Sequence, residues 1–279
     1  MSLADGVLLD VDGVLVTSWE PLPGAVEAVA RLRQAGVPFL LVTNTTTRSR
    51  ASLAESLAPF EVGPGDVLTA PMATAAYLRA EHPGARVHLL GTGDVADDLE
   101  GIELVDEGAD VVVIGGASEP DPEHPDATFT YENLDRAFRM LLDDAPLVAM
   151  HRNLSWRTAR GVVLDSGAFV VGLERAAKVE ATVVGKPSAA FFAAALERLG
   201  IPADRALMVG DDVEADVLGA QAAGIGGALV RTGKFRPEHL EAGRPDHVID
   251  SVADLPGLLG LDGPPGGGRP PGPPRPPMS

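Results

Sequence analysis

Short aliphatic runs alternate along this chain with amphipathic segments rich in Ala, Leu, Glu and Arg, and that alternation is what most restricts its fold. Nine runs read as strands: "GVLLDV" from Gly6, "PFLLVT" from Pro38, "VHLLG" from Val87, "VVVIG" from Val111, "PLVAM" from Pro146, "ATVVG" from Ala181, "ALMVG" from Ala206, "GALV" from Gly227 and "HVI" from His247. Helical periodicity lies between them. One helix opens at Pro23-Gly24, sets Val26, Val29 and Leu32 on one side and stops before Gly36; another spans about Ser188 to Leu199 and closes with Gly200. Strand–helix–strand repetition predicts an α/β protein built on a parallel sheet.

Length and charge narrow the partners. A chain of 279 residues exceeds the usual single domain, so two domains or one large insertion is expected. Forty acidic against twenty-two basic residues leave a formal charge of −18, which opposes nucleic-acid backbones and anionic membranes. Any phosphate site therefore needs local positive potential from a metal ion, a lysine or backbone amides. No cysteine is present, so disulfides and thiolate chemistry are excluded. Without a leader pattern or an apolar run near the roughly 20 residues a membrane span needs, a cytoplasmic location is expected.

Ligands of open parallel sheets sit at the carboxyl ends of the strands. Four apolar runs end in polar groups there: Asp10 and Asp12, Thr43 and Asn44, Lys186, and Asp211 with Asp212 and Asp216. Turn and cap chemistry accounts for each singly, but not readily for all four. Together they suit phosphoryl transfer through an aspartyl-phosphate. Asp10 attacks phosphorus, and Asp12 protonates the leaving oxygen and then activates water. Mg²⁺ on Asp10, Asp211 and the backbone carbonyl of Asp12 offsets the charge. Thr43, the Asn44 amide and Lys186 hold the phosphoryl oxygens.

"DVDGV", "VTNTT", "GKPS" and "GDDVEAD" resemble, in that order, the four motifs of the haloacid dehalogenase superfamily. The interval of about 140 residues between Asn44 and Lys186 is similar to the NagD-type branch, which inserts a large α/β cap between the second and third motifs. The resemblance implies a Rossmann-like three-layer core in residues 1–73 and 181–260, a smaller cap in residues 74–180, and a Pro/Gly-rich tail in residues 261–279 expected to be disordered. It implies Asp10, Asp12 and Asp211 as Mg²⁺ ligands, Asp10 and Asp12 as the catalytic pair, and Thr43, Asn44, Thr45 and Lys186 as phosphate contacts. The expected substrate is a small phosphorylated compound, and a homodimer through the cap stays open.

Several readings stay open beside it. In "MHRNLSWRTARG", His151, Arg152, Trp156 and Arg157 are candidates for selecting the leaving group, with a solvated basic loop as the alternative. Asp216 is expected to act from behind the metal, and Asp212 either there or as a helix cap. The tail's "PPGPPRPP" offers polyproline character for an aromatic groove. A phosphotransferase or mutase, or a silent binding protein on the same fold, competes with a phosphatase. A signalling receiver domain is opposed by length and by the order of its acids.

Overall fold

The computed structural model describes residues 3–118, 127–158, 161–242 and 244–261, with the side chains of residues 156–158, 241 and 242 left aside. Six parallel strands form one sheet in the order His247–Ile249, Gly226–Val230, Ala206–Gly210, Gly6–Asp10, Phe39–Thr43 and Val67–Thr69. Five more, also parallel, form a second sheet in the order Thr182–Val183, Leu147–Ala149, Val111–Ile114, Arg86–Leu90 and Glu103–Leu104. All nine strands expected from the sequence are present. Val67–Thr69 was missed because three residues running into a helix carry no periodicity.

The strand Gly6–Asp10 is buried along its whole length, as an unbroken aliphatic run in the middle of a parallel sheet should be. Its pleat sends Leu9 to one apolar cluster, with Leu41, Val29 and Leu32, and Leu8 to another, with Leu40, Phe191 and Phe192. That second cluster continues through Val87, Val111 and Val148 of the five-stranded sheet. One apolar body therefore ties the two sheets together. Phe191 and Phe192 are wholly buried within it, and truncating either to Ala would cost about 3–5 kcal/mol.

The flanking helices follow the same logic. Ala25–Gln34 buries Ala25, Ala28, Val29 and Leu32, one stripe of a 3.6-residue period, and the chain turns at Gly36 with φ 69°. Ala189–Leu199 is capped by Ser188, whose hydroxyl accepts from the Phe191 amide at 3.2 Å.

Pairing also corrects one expectation. The run from Ala181 is expected with the core, yet Thr182–Val183 pairs with Leu147–Ala149 in the five-stranded sheet. A strand's sequence does not carry the identity of a partner more than thirty residues away. Among the described residues no helix is long and apolar enough to cross a membrane. Of the tail expected over residues 261–279, residues 262–279 lie outside the described residues.

Candidate active site

The parallel register brings the candidate residues to one edge. Asp10 is level with Val42, so Thr43 lies one residue beyond it; Leu9 is level with Val209, which sets Asp211 just past the same edge. Gly6–Asp10 stands between these two neighbours, with the chain leaving it to both sides, which is where such sheets open a crevice.

Lys186 is the hub. Its Nζ donates to Asp10 Oδ1 at 2.6 Å and to Asp216 Oδ1 at 2.7 Å, and all three side chains are buried. Burial works against the ammonium, but the two carboxylates outweigh it and push Lys186 above its ordinary pKa. Burial also pushes Asp10 upward, against the opposing pull of Lys186. Asp216 is pushed up to about 6, again chiefly by burial. Both Asp216 oxygens are occupied, because Oδ2 accepts from the Asp212 amide at 3.2 Å. Asp216 thus holds Lys186, a more direct task than the sequence suggested.

Asp211 is different. Its Oδ2 accepts from the Lys234 amide at 2.7 Å, while its buried Oδ1 has no hydrogen-bond partner. Burial pushes its carboxyl up to about 6. Oxygens of Asp10, Asp211 and Asp216 lie within 4.8 Å of one another, so a hard divalent cation fits the donor set, and the orphaned Asp211 oxygen is a ready ligand. Two glycines make room for it. A Cβ on Gly13 would come within 2.1 Å of Asp211 Oδ2, and one on Gly233 within 2.0 Å.

The carboxylate of Asp12 stands outside that trio. The strand ends at Asp10, and Asp12 instead makes a single bridge to Val16 in the turn that follows. Its side chain opens toward solvent while neighbouring chain crowds it, and this desolvation raises its carboxyl above the usual range. A proton kept at moderate acidity suits a general acid.

Thr43 Oγ1 lies 2.9 Å from Thr45 Oγ1 and accepts from the Thr45 amide at 3.1 Å. Asn44 faces elsewhere: its side chain bonds the Lys186 backbone at both ends, Nδ2 to the carbonyl at 2.9 Å and Oδ1 from the amide at 2.8 Å. A helix start directly at Thr43-Asn44 is not found; the next helix begins at Arg50, capped by Ser49. Asp212 caps too, accepting from the Glu214 and Ala215 amides at 3.1 Å.

The two described cap candidates, His151 and Arg152, have their recorded contacts with residues of their own segment. His151 is buried, its Nδ1 accepting from the Asn153 amide at 3.2 Å and its Nε2 facing Ser166 Oγ at 3.4 Å and Asp165 at 3.7 Å. Burial lowers its pKa, so it is a neutral, internally bonded imidazole. Arg152 pairs with Glu174. The side chains of Trp156 and Arg157 lie outside the described residues.

Sequence reading overlooked the loop after Gly226–Val230. Thr232 Oγ1 donates to the Gly13 carbonyl at 2.5 Å, Gly233 admits Asp211, and Lys234 bonds Asp211 through its amide and Asp212 through Nζ at 3.2 Å. The signal was "RTGK" directly after an apolar strand, the same placement that drew notice to the other motifs.

Comparison with known proteins agrees with this geometry. A family model described as haloacid dehalogenase-like hydrolase matches residues 7–105, and one described as HAD-hydrolase-like matches residues 183–255. The phospholysine phosphohistidine inorganic pyrophosphate phosphatase of Rattus norvegicus is 37% identical over 264 residues, covering 91% of this chain and 93% of that protein. The chain belongs to the haloacid dehalogenase-like hydrolases. The haloacid dehalogenase-like hydrolase domain-containing protein 2 of Homo sapiens is 41% identical over 257 residues, covering 88% of this chain and 95% of that protein. A solved structure, the p-nitrophenyl phosphatase from Archaeoglobus fulgidus, superposes with a TM-score of 0.83 at 30% identity, covering 92% of this chain and 99% of that one. This member of the family is a phosphatase.

Proposed function

We propose that the chain hydrolyses its substrate with Mg²⁺ through an aspartyl-phosphate on Asp10. The observation that carries this reading is the Asp10 carboxylate itself. One oxygen is fixed by Lys186 at 2.6 Å, the other accepts no hydrogen bond among the described residues, and a carboxylate oxygen of Asp211 lies within 4.8 Å of a carboxylate oxygen of Asp10.

Asp10 Oδ2 forms the bond to phosphorus as the ester P–O bond breaks. Asp12 delivers its proton to the leaving oxygen. The Asp12 carboxylate then takes a proton from a water that attacks the same phosphorus, freeing phosphate and restoring Asp10. Lys186 balances the charge on nucleophile and phosphoryl group, while Thr43, Thr45 and the Asn44 amide hold the phosphoryl oxygens. Asp10, Asp211 and the Asp12 carbonyl would hold the cation. When bound, Mg²⁺ offsets the repulsion between a carboxylate and a phosphate dianion. The inserted five-stranded sheet serves as the cap over this edge.

Release of phosphate from p-nitrophenyl phosphate, with and without Mg²⁺, tests the reading. Turnover should require the cation and vanish in Asp10→Asn; activity that survives the substitution removes Asp10 as nucleophile.

A further inference from the structure

Arg48 is a basic side chain at the same edge that the proposed chemistry leaves unused. Its guanidinium lies over the Trp19 ring, 4.4 Å from the centroid, and Nη1 donates to Ser56 Oγ at 2.7 Å. Among the described residues no carboxylate pairs with it, in a chain where acids outnumber bases forty to twenty-two. Arg50, Arg86, Arg139 and Arg205 all have such partners.

The loop that carries the guanidinium is anchored at both chain neighbours of Arg48. Next to it, Ser49 gives its amide and hydroxyl to Asp94 at 2.8 and 2.7 Å. On the other side, a Cβ on Gly93 would come within 1.9 Å of the Thr47 carbonyl, so the inserted segment packs directly on this loop. Trp19 is fixed in turn. It occupies the tip of the hairpin Val16–Thr17 and Glu20–Pro21, whose root Val16 bridges to Asp12. Ser18 and Trp19 take φ of 51° and 67°, a left-handed pair that a two-residue hairpin turn requires. Arg48 thus sits on the hairpin rooted at Asp12, and Asp12 is the group that protonates the leaving oxygen in the proposed reaction.

We propose that Arg48, seated on Trp19, binds a second anionic group, carboxylate or phosphoryl, on the leaving-group side of the substrate, so that the enzyme selects phosphate compounds carrying one. The proposal rests on the phosphatase reading and deepens it. A planar fork already ordered by stacking binds such a group with little further loss of freedom, and a charge-assisted contact of this kind is worth about tenfold to a hundredfold in affinity.

Calorimetry on the full chain with Mg²⁺ in excess tests it, using methylphosphonate as the ligand without a second anion. Phosphonoacetate supplies a second carboxylate and methylenebisphosphonate a second phosphonate. At least one of the latter two should bind the wild type at least tenfold more tightly than methylphosphonate, and which one does so identifies the anion. Arg48→Gln should shrink that gap below threefold, and Arg48→Lys, which keeps charge without the fork, should fall between; circular dichroism checks that both variants fold. Equal binding of all three ligands by the wild type overturns the proposal. So does a gap that survives Arg48→Gln, or an equal loss for every ligand in that variant. Because binding is read without turnover, an inactive wild type would sink the phosphatase reading alone.

Discussion

Asn44 and Lys186 close a reciprocal clamp across 142 residues of sequence, the side-chain amide of one bonding both the carbonyl and the amide of the other at 2.9 and 2.8 Å. Asn44 therefore fixes the backbone from which the Lys186 ammonium reaches Asp10. Asn44→Ala should lower stability by about 1–3 kcal/mol, because two partly buried backbone groups lose their partners. It should also lower kcat on p-nitrophenyl phosphate by about 10²-fold, the scale of a displacement near 1 Å in a catalytic group. Denaturant melts and steady-state kinetics read the two effects, and an unchanged kcat would separate Asn44 from the placing of Lys186.

Gly233 yields a second expectation. With φ of 63° and only 2.0 Å between an added Cβ and Asp211 Oδ2, it admits no side chain without moving the carboxylate. Gly233→Ala should weaken Mg²⁺ binding more than tenfold, as measured by titration calorimetry, and cost about 1–3 kcal/mol in stability from the left-handed backbone and the clash. Mg²⁺ affinity equal to the wild type would show that Asp211 is not the ligand its orphaned oxygen suggests.

The strands and the acids were legible because each announced itself locally: an aliphatic run, then Asp10, Thr43, Lys186 or Asp211 where the run stopped. Local signals carry no partner information. The clamp between Asn44 and Lys186, the seat of Asp216 on Lys186, and the pairing of Thr182–Val183 with Leu147–Ala149 are all contacts between segments distant in sequence. His151 shows the opposite failure. A histidine beside arginine and tryptophan looked like a binding surface, but burial against Asp165 and Ser166 decides its state, and burial is not written in nearest neighbours. The loop at Thr232–Lys234 was readable by the rule used for the other strands and simply escaped it.

Burial of acids at the site should appear in the pH dependence of the metal-free protein. Asp211 and Asp216 each stand at about 6 in the folded chain against an ordinary 3.8. The folded state holds protons that the unfolded state has released, so their contribution is fully present below about pH 4 and is lost as pH rises through about 6. The difference is worth about 3 kcal/mol per group at most. In a chelator, the stability of Asp211→Asn relative to the wild type should therefore increase from pH 4 to pH 6, as followed by urea melts. A relative stability that falls over that interval would reverse the sign of the argument.

Asp12 provides the sharpest separation of chemistry from cation binding. Its carboxylate lies outside the trio of Asp10, Asp211 and Asp216, and its surroundings raise its pKa, so in the proposed mechanism its side chain serves proton transfer and only its backbone carbonyl meets the metal. Asp12→Asn keeps the backbone carbonyl and the shape of the turn. Mg²⁺ affinity should stay within about threefold of the wild type, while kcat falls by about 10²–10⁴-fold, the usual worth of a general acid and base. A substrate whose leaving group needs no proton, such as p-nitrophenyl phosphate, should lose less in the first step than an alkyl phosphate does. Single-turnover rates on the two substrates measure that contrast. An equal loss on both would move the role of Asp12 from protonating the leaving group to activating water alone.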